Sequence, residues 1–98
     1  MLYAIVGRDR PDSLERRRAA RPEHLARLRA LSEAGRLVLA GPLPAIDAPD
    51  PGPAGFTGSL IVAEFASLAD AERWVAEDPY TDNVFRDVDV RPFLRVAP

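Results

Sequence analysis

The order of the apolar segments is the feature that most constrains the fold. Four short apolar segments predict strands, and a segment with helical periodicity follows the first and third of them. The predicted strands cover residues 2–6, 36–41, 56–65 and 87–96. The resulting order, βαββαβ, is typical of the ferredoxin-like fold, an α+β architecture with a four-stranded antiparallel sheet and two helices on one face. At 98 residues, the chain is predicted to form one domain spanning 1–98.

The first predicted helix begins at Pro22, since proline at the first helical position gives up only an N–H group that has no partner there. The polar stretch 8–21 before it offers an alternative start at Ser13. The helix is expected to end before Gly35, a residue type favoured just beyond a helix C-terminus.

The second predicted helix begins after Ser67, a preferred N-cap residue followed three positions later by Asp70. Apolar residues recur at helical spacing up to the sequence EDPY, where Pro79 ends the pattern. Asp78 is therefore predicted in the last turn of the helix. A carboxylate is unfavourable at a helix C-terminus, and we interpret this misfit as a weak sign of function.

The segment between the second and third strands, residues 42–55, contains five prolines and is predicted to be a loop. A loop of this length is unusual in a compact domain, which favours a functional or a mobile segment.

The first three strands are apolar on both faces, although the two helices cover only one. In the first strand, Leu2, Ala4 and Val6 alternate with Tyr3 and Ile5, and the next two strands show the same pattern. A large uncovered apolar face is unusual on a monomer. The sequence therefore predicts a homodimer that packs sheet to sheet about a two-fold axis.

Composition excludes several function classes. A net charge of −2 does not favour a nucleic-acid partner, and no apolar run approaches the ~20 residues that span a bilayer. The chain has no cysteine, and hence no disulfide or thiol nucleophile. The basic cluster of Arg16, Arg17, Arg18 and Arg21 is interpreted as a solvated helix start rather than an anion site. We predict a cytoplasmic protein with no membrane or nucleic-acid partner.

His24 is the only histidine, and helical spacing places it on the apolar stripe of the first helix. Leu28 lies about 40° and Leu31 about 20° from it around the helix axis. Asp78 lies on or beside the inner face of the second helix by the same count. With right-handed crossovers, the start of the first helix and the end of the second lie at the same end of the sheet, together with Gly41 and the proline-rich loop. We therefore expect His24 and Asp78 to meet.

Such a pair has a defined chemistry. A carboxylate that accepts a hydrogen bond from one imidazole nitrogen fixes the tautomer, so that the other nitrogen can take a proton from a substrate. The positive end of the helix dipole is expected to oppose protonation of His24. The pair predicts catalytic His24 and Asp78, with Arg21 or a neighbouring arginine holding a carboxylate of the substrate. No cofactor is predicted.

Two alternatives stay open. The same pocket suits a non-catalytic module that binds a small molecule. In such a module, loss of His24 would weaken binding, and there would be no turnover to lose. A metal site is disfavoured, because His24 and Asp78 are too few ligands and helical phase directs Glu23 and Glu77 away from them.

Three segments, RPEHLARLRALSEAGRLVLAGPL, GSLIVAEFASLADAERWVAEDPY and VDVRPFLRV, resemble in order the YCII-related (YciI-like) family. The resemblance covers nearly the whole chain. It implies a ferredoxin-like fold that dimerises through its sheets, in the manner of dimeric α/β barrels. It also implies an active site with a His–Asp dyad, matching His24 and Asp78. It also implies substrate-binding roles for positions around the dyad, namely Gly41, Pro42, Ser59 and Tyr80.

The resemblance implies small-molecule acid–base chemistry of the lyase or isomerase type, since one branch of the family is associated with dehydrochlorination of a chlorinated ring compound. Family members often carry a glycine shortly after the DPY segment, whereas TDNVF follows here. This departure concerns the rim of the pocket and leaves the dyad in place.

Overall fold

The computed structural model describes residues 1–98, which form one four-stranded sheet and three α-helices. The elements in chain order are β1 (Leu2–Asp9), α1 (Leu14–Glu33), β2 (Leu37–Pro44), a short 3₁₀ helix (Gly52–Ala54), β3 (Phe56–Glu64), α2 (Leu68–Ala76), α3 (Pro79–Asn83) and β4 (Phe85–Phe93).

All strand pairings in the sheet are antiparallel, and the strand order is β2-β3-β1-β4. This order and the βαββαβ succession of the main elements confirm the predicted ferredoxin-like α+β fold. None of the helices combines the length and the apolar character that crossing a bilayer would require.

Helix α1 begins much earlier than Pro22. It starts at Leu14, with Ser13 at the N-cap position, and Pro22 lies inside it. The alternative start at Ser13 is therefore right and the start at Pro22 is wrong. An interior proline removes one backbone hydrogen bond. The two turns before it persist because Arg17 and Ala20 are buried there, and tertiary packing supplies most helix stability in proteins.

The second helical segment divides at Asp78. Ser67 caps α2 as predicted, its hydroxyl accepting from the Asp70 backbone N–H at 3.1 Å. However, α2 ends at Ala76, and Pro79 opens α3, with Asp78 as the N-cap. The prediction that Asp78 lies in the last turn of α2 is therefore wrong, because Pro79 starts a helix rather than only ending one.

Strand β2 extends to Pro44, so the first residues of the predicted proline-rich loop belong to the sheet. It tolerates Pro42 and Pro44 because it is an edge strand, where a missing N–H group need not break the sheet.

Two groups of buried side chains hold the layers together. The larger, which we call the apolar core, lies between the sheet and helices α1 and α2. Its members are Tyr3, Ile5, Leu31, Ile61, Ala63, Phe65, Ala71 and Val75. The smaller group, Ala20, Tyr80, Val84 and Phe85, fixes α3 between α1 and β4. His24 and Asp78 lie beside this smaller group.

Candidate active site

His24 and Asp78 meet across the interface between α1 and the start of α3. The Nδ1 atom of His24 lies 2.9 Å from Oδ1 and 3.1 Å from Oδ2 of Asp78. Both residues are buried, with 6% and 3% of their surface exposed. The two side chains, 54 positions apart in the chain, thus form the contact that helical phase and topology predicted.

The position of His24 along its helix differs from the prediction. Because α1 begins at Leu14, His24 lies near the middle of a 20-residue helix rather than one turn from its start. The positive end of the helix dipole acts within about one turn, so it does not bear on His24 as expected. The predicted face of the helix is right, since His24 and Leu31 are both buried.

Asp78 receives three kinds of donor. His24 Nδ1 and the Tyr80 backbone N–H, at 2.9 Å, point at Oδ1, while Arg27 Nη1 donates to Oδ2 at 2.9 Å. Burial alone would raise the pKa of Asp78. The hydrogen bond and charge of His24, then the Tyr80 N–H and Arg27, outweigh burial and hold that pKa below its ordinary value. Asp78 is therefore an anion at neutral pH.

The position of Asp78 at a helix N-terminus also corrects the interpretation of this residue as a misfit. A carboxylate at an N-cap is favoured by the helix dipole and by the free backbone N–H groups. Asp78 is therefore well placed for α3 as well as for His24, and the supposed misfit carries no functional weight.

The second ring nitrogen of His24 is free. Nε2 makes no hydrogen bond within the protein. Every side-chain nitrogen or oxygen that solvent cannot reach does have a hydrogen-bond partner. Nε2 is therefore accessible to solvent. Since Asp78 is an anion, Nδ1 of a neutral His24 carries the proton and Nε2 offers a lone pair. This is the arrangement of a general base.

A cavity of about 470 Å³ adjoins His24 between α1, the sheet and the segment around the 3₁₀ helix. Its polar lining residues are Arg17, Arg18, Arg21, His24, Asp50, Ser59 and Tyr80. Gly41 and Pro42 of β2 also line it, so every position that sequence reasoning proposed for the site lies at the cavity except Asp78. Asp78 lies behind His24 and reaches the cavity only through the imidazole.

Tyr80 forms one wall beside the dyad. Its ring stacks on the His24 ring with centroids 3.8 Å apart and planes 6° from parallel. Phe85 supports it edge-on at 5.8 Å, and the absence of a side chain at Gly7 leaves room for the Phe85 ring. Burial raises the pKa of Tyr80, although the charges of Arg17 and Arg21 act against that rise. Tyr80 is therefore a neutral phenol at physiological pH.

Arg17 is the main site residue that sequence reasoning missed. The solvated interpretation of the arginine cluster is right for the exposed Arg16 and Arg18 but wrong for Arg17, which is 6% exposed. Its Nε and Nη2 donate to the two carboxylate oxygens of Asp9 at 2.6 and 2.8 Å. A signal was available, because Arg17 precedes His24 by seven positions and so lies about 20° from it around the helix.

Arg27 was also missed. It follows His24 by three positions, on the adjoining part of the helix surface, and reaches the same carboxylate. Its guanidinium lies 4.2 Å from the centre of the Trp74 ring, which fixes its direction. The dyad is thus extended by a cation that itself rests on an aromatic ring.

The acidic neighbours of the dyad in the sequence point elsewhere. Glu23 and Glu77 are exposed, and no group of three or more His, Cys, Asp or Glu side chains comes together anywhere in the chain. His24 and Asp78 are therefore arranged as a hydrogen-bonded pair without a third ligand of the kind that metal ions require.

Comparison with known proteins assigns the chain to a family. Residues 1–94 match the YCII-related domain. The chain belongs to the YCII-related family. It is 54% identical over 97 residues to Protein YciI of Escherichia coli O6:H1, covering 98% of this chain and 99% of that one. It is 50% identical, with the same coverage, to an uncharacterized protein of Haemophilus influenzae.

Among solved structures, this YCII-related chain is similar to 5-chloro-2-hydroxyhydroquinone dehydrochlorinase (TftG) from Burkholderia phenoliruptrix AC1100, in complex with 2,5-dihydroxybenzoquinone. The TM-score is 0.82 at 31% identity, covering 96% of this chain and 94% of that one. A second structure, PA3566 from Pseudomonas aeruginosa, matches with a TM-score of 0.53 at 13% identity over 98% and 93% of the two chains, and so shares the fold.

Proposed function

We propose that this protein is a small enzyme that uses His24 and Asp78 for general acid–base chemistry on a small-molecule metabolite. The observation that carries the proposal is that the two ring nitrogens of His24 have different surroundings. Nδ1 is held by a buried carboxylate, while Nε2 is unbonded and belongs to a residue that lines a cavity. The similarity to a dehydrochlorinase that binds a small quinone supports the same class of reaction.

The proposed step is proton abstraction. His24 Nε2 takes a proton from the substrate, and the electron pair of the broken bond stays on the substrate. In an isomerisation, this electron pair forms an enolate, which takes the proton back at another atom. In an elimination, the electron pair forms a double bond as a leaving anion departs. Asp78 stabilises the imidazolium during this step and stays ionised.

The protein is proposed to act as a single YCII-related domain over residues 1–98 and as a homodimer. The sheet face away from the helices carries exposed Leu39, Leu43 and Phe93, with 48%, 39% and 40% of their surface accessible. On β3, Leu39 pairs with Val62 and Leu43 with Gly58, which lie an even number of residues apart. Val62 pairs in turn with Ala4 of β1, two residues from Leu2, the partner of Phe93, so the three exposed side chains share one face. Size-exclusion chromatography with light scattering tests this. A dimer that Leu39→Arg dissociates is expected, and a wild-type monomer contradicts it.

The experiment on function compares the wild type with His24→Ala in two assays. The first is chloride release from 5-chloro-2-hydroxyhydroquinone, together with solvent-deuterium exchange at carbon in a panel of small carbon acids. The second is the thermal shift that 2,5-dihydroxybenzoquinone induces. Loss of the base is expected to lower turnover by about 10²- to 10⁴-fold while the thermal shift persists. Asp47→Asn, in an exposed loop, is the matched control and should behave like the wild type.

Turnover that survives in His24→Ala would contradict the proposal. Binding of the quinone without turnover of any probe by the wild type would instead support the second candidate, a module that binds a small molecule. The observation that favours this candidate is that most polar groups at the cavity, including Arg17 and Arg21, lie outside the dyad.

A further inference from the structure

A second nitrogen-bearing side chain lines the cavity beside His24. Arg17 is more than nine-tenths buried, and its Nε and Nη2 atoms are fully engaged by the protein. Their acceptors are the carboxylate of Asp9, the backbone oxygen of Gly58 at 2.9 Å and Ser59 Oγ at 3.0 Å. Nη1, by contrast, donates to none of these acceptors. It belongs to a residue that lines the cavity, beside the Tyr80 hydroxyl, and a hydrogen bond from Arg17 counteracts the rise in the pKa of that phenol.

The guanidinium of Arg17 is held rigidly in this direction. Its central carbon lies 5.0 Å from the centre of the Phe56 ring and 5.2 Å from that of Tyr80. The guanidinium therefore lies over two aromatic rings, while the Asp9 carboxylate fixes one edge. A guanidinium fixed in this way offers two directed donors at no further cost in side-chain entropy. Burying an arginine for packing alone would not require placing it at a cavity.

Charge at the cavity mouth points the same way. Arg21 lines the cavity, is exposed and forms no ion pair, whereas Arg17 is neutralised by Asp9 and Arg18 pairs with Glu15. The only acidic side chain at the cavity is Asp50, in the loop on the other side. Arg21 thus places an unpaired positive charge on the α1 side of the mouth, opposite the carboxylate of Asp50, and Arg17 adds directed hydrogen bonds.

We propose that the cavity is specific for a small organic anion. Its anionic oxygen, in a carboxylate or a phenolate, is bound by the Nη1 edge of Arg17, and Arg21 attracts the charge at the mouth. This inference rests on the proposed function, since it names the substrate class of the same site. Arg17 and His24 line the same cavity, so an anion held at Arg17 keeps the rest of the substrate in the space that His24 also lines. Holding the substrate there lowers the entropic cost of bringing its proton to Nε2.

Binding measured without turnover separates this inference from the proposed function. Isothermal titration calorimetry would compare two matched pairs, benzoate with benzamide and 4-nitrophenolate with 4-nitroanisole. The anionic member of at least one pair should bind about 10- to 100-fold more tightly, as expected for a charged hydrogen bond with little solvent competition. A carboxylate preference and a phenolate preference distinguish the two sources of the anionic oxygen. The same preference is expected in His24→Ala.

Arg17→Met should abolish the difference within the preferred pair. Arg21→Gln should weaken the anion by about 2- to 5-fold, with an effect that shrinks as salt is added, because Arg21 is exposed. Arg29→Gln is the matched control, since Arg29 is an exposed arginine of the same helix that does not line the cavity. This substitution should change neither the affinity for the anion nor the affinity for its neutral counterpart.

Arg17→Met removes a buried ion pair and can fail to fold, so a measurement on the wild type accompanies it. The guanidinium ¹⁵N signal of Arg17 should shift when the preferred anion is added and should not shift with its neutral counterpart. The proposal would be overturned if the two members of each pair bound equally well, if no anion bound, or if Arg17→Met kept the preference. It would also be overturned if the anion did not shift the Arg17 signal.

Discussion

The two buried regions of this protein differ in what they contain. The apolar core consists of apolar side chains throughout, from Tyr3 at one side of the sheet to Val75 on α2. A second buried region is polar: it contains Ser13, Arg17, His24, Ser59 and Asp78, together with the buried side chain of Asp9. None of their polar atoms is both sealed from solvent and unpaired. We call this second region the polar cluster.

The difference matters because the two regions cost different amounts to build. Burying apolar surface is favourable by itself, whereas burying charge is repaid only by good partners, and an apolar replacement is often at least as stable. A chain that concentrates its buried charges around one cavity therefore maintains an arrangement that stability does not require. The apolar core thus supplies the stability, and the polar cluster supplies the groups for the proposed chemistry.

Leu31→Ala should show the largest effect on stability and leave the chemistry alone. Leu31 is 3% exposed within the apolar core, and such a truncation costs about 2–5 kcal/mol because a cavity remains. Chemical denaturation measures this loss, with Leu94→Ala as the control because Leu94 is 79% exposed. Turnover per folded molecule should be unchanged. A large fall in that turnover would show that the two regions are not separable.

Asp78→Asn should have a smaller effect on stability, and one that depends on pH. At neutral pH we expect a loss of about 1–3 kcal/mol, because the variant keeps an N-cap oxygen but loses charged hydrogen bonds. The folded pKa of Asp78 lies below its unfolded value of about 3.9. Its contribution is therefore present above that value and is lost as pH falls through the folded pKa.

Denaturation curves recorded from neutral to acidic pH should therefore show the wild type and Asp78→Asn converging below about pH 4. Asp47→Asn controls for the change of charge, because Asp47 is exposed in the loop before the 3₁₀ helix. A constant difference between wild type and Asp78→Asn across the whole range would mean that the ionised carboxylate adds nothing to stability.

Arg27→Met should give the smallest change, because Arg27 connects the two regions. It donates to Asp78 and lies over Trp74, which packs against the apolar core. Methionine can keep the contact with Trp74, so we expect a stability loss of about 1 kcal/mol. The acid-induced loss of stability that comes from Asp78 should be smaller and should be complete at a higher pH, since Arg27 helps hold the folded pKa of Asp78 below its unfolded value. Arg29→Met is the control. If the stability of Arg27→Met fell with acidic pH in the same way as that of the wild type, Arg27 would have no effect on the pKa of Asp78, which would contradict the prediction.

The same contrast explains how far the sequence predicted the structure. The strands, their order and the meeting of His24 with Asp78 follow from apolar periodicity and from the handedness of βαβ crossovers, which are patterns of the kind that builds the apolar core. The boundaries around Pro22 and Pro79 were wrong. Proline restricts the backbone but does not say whether a helix starts, continues or ends, and here burial of Arg17 decided for Pro22.

The polar cluster was predicted only in part. An arginine is buried only when it finds partners, and those of Arg17 come from the end of β1 and from β3, as far as 42 positions away. Nothing local in the run Arg16, Arg17, Arg18 distinguishes the middle residue from its exposed neighbours, apart from its helical phase relative to His24. Arg27 was missed for the same reason, because its partner Asp78 lies 51 positions away.

The proposed chemistry depends on one feature of the dyad, namely that the Asp78 carboxylate fixes the His24 proton on Nδ1 and leaves Nε2 free at the cavity. Because His24 is the only histidine, long-range ¹H–¹⁵N NMR of the uniformly labelled protein reports its tautomer without assignment. At a pH where the ring is neutral, we expect a protonated Nδ1 and a bare Nε2. A proton on Nε2 would contradict the proposed role, because the nitrogen facing the substrate could then not accept one.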